Sequence, residues 1–61
     1  MDATDFVGWI EHMKLSDSGA SKLLQISRNS VAKYRQEGAP RSIGLACAAL
    51  AYGLPPWRKM Q

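Results

Sequence analysis

Apolar residues along this chain recur in three helical stripes and one unbroken run, separated by short polar stretches. Phe6, Trp9, Ile10 and Met13 follow one another at the spacing of a helix turn, so they predict a first helix with one apolar face. Thr4 is the expected cap, and Asp5 stands near the positive helix end. Leu15-Ser16 reads as a connection, with Ser16 capping a second helix that runs roughly to Leu24. Ala20, Leu23 and Leu24 are its apolar residues, and small side chains such as Ser21 let a neighbouring axis come close. Ser27 caps a third helix, which Glu37 and Gly38 end.

The third helix divides sharply around its axis. Ser30, Val31 and Tyr34 share one face, whereas Arg28, Asn29, Ala32, Lys33 and Gln36 share the opposite one. A solvated face usually mixes acids with bases for pairing along the helix, and this face has no acid. Its guanidinium, amides, methyl and ammonium suit guanine edges, adenine edges and a thymine methyl in a major groove. A basic soluble helix is the bland alternative.

Gly38-Ala39-Pro40-Arg41 forms a loop, and a fourth helix is expected over about 41–52, begun by Ser42 as cap or by Pro40 in its first turn. Ile43, Ala46, Cys47, Leu50 and Leu54 share one of its faces. Leu45, Ala48, Ala49 and Tyr52 share the other, and no charge lies between Ile43 and Tyr52. A helix apolar all round is expected to be buried all round. Three preceding helices cover one side only, so the second face predicts a homodimer using the same patch twice. The alternative is a helix wrapped by the first helix and the segment after it. Gly53 and Pro55-Pro56 stop this helix, and Trp57 is expected to pack back as a clasp, with base stacking as the other reading. Arg58 and Lys59 suit a phosphate backbone, a dimer partner or plain solvation.

Charge changes this picture more than composition does. The chain has 61 residues, 46% of them hydrophobic, which fits one small folded domain over 1–61. The net charge of +3 hides an asymmetry. Through residue 21, four acids oppose Lys14 alone; beyond it, seven bases oppose Glu37 alone. An anionic partner for the later part, most simply nucleic acid, follows.

Two helices joined by a short turn, the second presenting a cationic face, form a helix-turn-helix pattern over about 16–37. Leu15-Ser16, Ala20-Ser21, Leu24, Ile26-Ser27-Arg28-Asn29-Ser30-Val31 and Tyr34 resemble the Cro/CI-type, lambda-repressor-like helix-turn-helix domains. The resemblance implies an all-α, four-helix domain that binds double-stranded DNA. It implies base contacts from Arg28, Asn29, Ala32 and Lys33, and backbone contacts from Ser16, Ser18, Ser27 and Arg35. Lys22 and Arg41 are further backbone candidates read from their charge, and the three serines serve equally as caps. Gln25 stands where the family usually has glycine, and there is sequence for four helices where five are common. Small phage or mobile-element regulators, such as Cro-like or anti-CRISPR-associated repressors, are the functional types implied.

The expectation is a dimeric repressor of its own or a neighbouring operon, without cofactor or small-molecule effector. A protein-interaction or antitoxin-like module, with the fourth helix gripping another protein, is the competing class. RNA binding lacks the interleaved aromatics of a stacking sheet. Enzymatic activity is not expected, since no Cys–His pair, phosphate loop or metal cluster stands out. His12 reads as solvated, and Cys47 as a buried hydrophobe. The run from Ile43 to Leu54 is too short to span a membrane, and the lack of a leader-like segment suggests the cytoplasm.

Overall fold

The computed structural model describes residues 1–59 and contains four α-helices, with no strand among the described residues. They are α1 (Ala3–Met13), α2 (Asp17–Leu24), α3 (Arg28–Glu37) and α4 (Arg41–Ala51). The chain is an all-α, four-helix fold, as its periodicity predicts.

Each helix start has a local cause. Asp2 caps α1 in place of Thr4: its carboxylate accepts from the Asp5 N–H at 2.8 Å. A charged acceptor bonds the free N–H groups of a first turn more strongly than a hydroxyl does. Ser16 accepts from the Gly19 N–H at 3.0 Å, and Ser27 from the Ser30 N–H at 3.0 Å. Pro40 occupies the cap position of α4, just outside its first turn, with no side-chain cap bond; Ser42 lies within the helix.

Three helix ends share one closure. Lys14, Gln25 and Gly53 take positive φ of 57°, 56° and 70°. The next N–H then reaches back five residues: Leu15 to Ile10 at 3.0 Å, Ile26 to Ser21 at 3.0 Å and Leu54 to Ala49 at 2.8 Å. This left-handed closure satisfies carbonyls that a helix end leaves free. It costs a residue with a Cβ about 1 kcal/mol or more. Leu15 and Ile26 pack against the core one position later, and their burial offsets that cost at Lys14 and Gln25.

α3 ends differently. Gly38 has φ 89° and ψ 174°, a region open essentially to glycine alone. A Cβ there would lie 2.7 Å from the Met1 carbonyl oxygen. The room left by its absence lets the Ala39 N–H donate to Met1 O at 2.8 Å. The Met1 amino group donates to Ala39 O at 3.3 Å.

Phe6, Trp9, Ile10, Ala20, Val31 and Cys47 form the core, with α1 and α2 both packing on α3 and α4. Phe6 is its hub: Tyr34 meets it edge-on at 5.6 Å between centroids, and Trp9 lies tilted at 6.1 Å. The Trp9 indole N–H donates to the Cys47 carbonyl at 2.9 Å, joining α1 to α4. Three apolar residues depart from expectation. Leu23 is exposed at the edge of α2, Leu54 lies beyond the end of α4 and is 59% exposed, and Trp57 does not clasp the domain but stands 88% exposed.

Candidate nucleic-acid interface

The orientation of α3 is set from its buried side. Val31 is fully buried and the Tyr34 ring rests on Phe6, so the helix cannot roll about its axis without emptying the core. Arg28, Asn29, Ala32, Lys33 and Gln36 are consequently all exposed on one face. Gln25-Ile26-Ser27 joins α2 to α3, and the two helices pack against each other.

The helix starts differ in charge. Asp5 lies in the first turn of α1 and Asp17 in that of α2, where the helix dipole favours an anion. The first turns of α3 and α4 contain no acid, and each opens on an arginine, Arg28 and Arg41. A cation there opposes the dipole by roughly 0.3–1 kcal/mol. Among the described residues, Lys22, Arg28, Lys33 and Arg41 have no carboxylate within ion-pair distance.

Arg35 is placed otherwise. Its Nε–H donates to Asp17 Oδ1 at 2.8 Å, linking α3 to the start of α2. At about 35–44% side-chain exposure the pair adds little stability, on the order of 0–1 kcal/mol. Its effect is to neutralise the one carboxylate beside Ser16 and Ser18. No local signal in the sequence points to this contact: Asp17 also suits the dipole of α2, and eighteen positions separate the partners.

Of the other candidate backbone residues, Ser16, Ser18, Ser27 and Arg41 lie at or near helix starts, whereas Lys22 lies in the last turn of α2. Ser16 and Ser27 are exposed caps, Ser18 is half-buried, and Lys22 and Arg41 are exposed. Ser16 uses an oxygen lone pair as a cap and keeps its hydroxyl hydrogen. Ser27 donates its own to Ser30 Oγ at 3.0 Å.

On α4 the two apolar faces have different fates. Cys47 is buried, with Ile43 and Leu50 packed against the core. Opposite them, Leu45 is 58% exposed and Tyr52 82% exposed, with Ala48 exposed and Ala49 half-buried between them. Burial pushes the Cys47 thiol up from its ordinary 9.0 to about 11, so it is protonated near neutrality. The described residues contain no group of three metal-ligating side chains, and none of their helices is long and apolar enough to cross a membrane.

The chain matches no family model, no curated protein and no solved structure.

Proposed function

We propose that the protein is a sequence-specific double-stranded DNA-binding regulator, acting as a homodimeric repressor on an inverted-repeat operator. The exposed face of α3 carries this reading: cations and amides without an acid, on a helix whose first turn leaves its positive end unopposed. Arg28 and Lys33 then donate to guanine O6 and N7, Asn29 pairs with adenine, and Ala32 packs on a thymine methyl. Ser16, Ser18, Lys22 and Arg41 hold phosphates, and Ser27 joins them when its hydroxyl turns from Ser30 Oγ to a phosphate oxygen. Arg35 serves mainly by cancelling the Asp17 charge, which would otherwise repel a phosphate at the start of α2.

The exposed stripe Leu45, Ala48, Ala49 and Tyr52 supports pairing of two copies. Two copies of α3 related by a two-fold axis read half-sites about 34 Å apart, or a multiple of that. Resemblance to the Cro/CI type points to autorepression in a phage or mobile element, within the bacterial cytosol. The same exposed stripe favours a second reading, a protein-interaction or antitoxin-like module whose α4 grips a different chain.

Selection of bound sequences from a random duplex pool, followed by salt titration of the winner, separates these readings. An enriched inverted repeat is expected, with the logarithm of affinity falling about 0.9 per phosphate contact for each decade of salt. A folded protein that enriches nothing, or binds with no salt dependence, rejects the DNA reading.

A further inference from the structure

A groove and a projecting side chain lie next to each other on this molecule. The groove, about 320 Å³, runs between the end of α2 and α4. Leu23, Leu24, Ala46, Ala49, Leu50 and Leu54 line it, and Pro55 and Pro56 complete its wall. Gln25 is the one polar residue in the lining. Trp57 follows directly, 88% exposed.

The groove is not built for the Trp57 of its own chain. From Leu54 to Lys59 the chain makes neither turn nor bend. Each proline fixes its own φ and drives the preceding residue toward extended backbone. Leu54-Pro55-Pro56 is thus a stiff spacer rising ~3.1 Å per residue, which carries the indole ~9 Å beyond Leu54. Entering its own groove would require a reverse turn within that spacer.

We propose that Trp57 of one copy occupies the groove of a second copy, reciprocally, so that two arms are exchanged about a two-fold axis. The proposal rests on the homodimer reading above and names the contact that makes the dimer. Knob and groove belong to one chain, so a single two-fold operation fills both grooves. Ala49 borders both the groove and the exposed stripe of α4, which makes one continuous surface. The area is sufficient. Tyr52 and Trp57, at ~150–250 Å² each, supply roughly half of the ~800 Å² that each partner gives to a standard interface. Leu23, Leu45, Leu54 and the two prolines supply the remainder. The stiff spacer loses little conformational entropy on docking. The Gln25 side-chain carbonyl offers the indole N–H an acceptor.

Sedimentation equilibrium combined with tryptophan emission across concentration tests this on the full chain. Trp9 is buried in the monomer, so an emission shift on association reports Trp57. Wild type is expected to dimerise with a blue shift. Trp57→Ala should keep the helical circular dichroism and associate at least ~10-fold more weakly, with partial recovery in Trp57→Phe. A wild-type dimer of unchanged strength in Trp57→Ala, or one that forms without an emission shift, overturns arm exchange and leaves the homodimer reading intact. A wild-type chain that stays monomeric at every accessible concentration overturns both.

Discussion

Gln25 and Gly38 both sit at positive φ, for opposite reasons. Gln25 tolerates a left-handed backbone because Ile26 gains burial in the next position. Gly38 has no substitute, because its missing Cβ is the space that the Met1 carbonyl fills. Gln25→Gly should therefore stabilise the fold by about 1 kcal/mol, raising the melting temperature by ~4–8 °C in a domain of this size. Gly38→Ala should destabilise it by ~2 kcal/mol or more, and thermal denaturation of both variants checks the pair. On the DNA reading, Arg28→Ala should cost ~1–3 kcal/mol on the preferred duplex and relax base preference locally. Arg41→Ala should weaken all duplexes about equally and reduce the salt slope by ~1. Competition binding at two salt concentrations distinguishes these roles, and unchanged binding in both folded variants removes this surface from DNA contact. Ser16 and Ser27 were legible as caps because a hydroxyl ahead of an apolar stripe is a local signal. Asp2 was not, because Thr4 offered an equally good local signal two residues later.

At the scale of the element, α4 decides what the domain leaves open. Its 3.6-residue period sorts Ile43, Cys47 and Leu50 inward and Leu45 and Tyr52 outward, and the fold covers only the first set. Leu45→Glu or Tyr52→Glu should give monomers by sedimentation with helicity unchanged, since neither side chain supports the folded monomer. A full-strength dimer from either variant would place the interface elsewhere. α3 shows the reverse case. Its polar face was legible from the wheel alone, but the separate orientation of Arg35 was not. Arg35 lies between the buried and exposed faces, and which way it turns depends on Asp17, brought within reach only by packing α2 on α3.

Across the whole molecule, Cys47 reports on the integrity of the core. It is buried, and its carbonyl receives the Trp9 indole N–H from α1. The folded thiol holds its proton to about 11, against an ordinary value of 9.0. As pH rises through 9, the unfolded chain releases this proton first, so stability falls until the folded thiol also ionises near 11. Urea midpoints across that interval should fall more steeply for wild type than for Cys47→Ala; equal slopes would show that the thiol titrates alike in both states. The charge asymmetry is also a property of the whole chain. Acids concentrate before Lys22, where Asp2 caps α1 and Asp17 pairs with Arg35, while Arg28, Lys33 and Arg41 remain exposed.

The sequence by itself determined the all-α class, the four helices, two of their caps and the polar face of α3. All of these follow from periodicity and from contacts within one helical turn, which neighbouring residues specify without help from the rest of the chain. Tertiary structure decided the Asp17–Arg35 pair, the link from Met1 to Ala39 and the hydrogen bond from Trp9 to Cys47. It also decided that Trp57 projects instead of clasping. These depend on where packing brings distant segments, and on two prolines that hold the chain extended ahead of the indole. An apolar residue carries a tendency toward burial in its chemistry, but the partner that buries it is settled only when helix axes take their places.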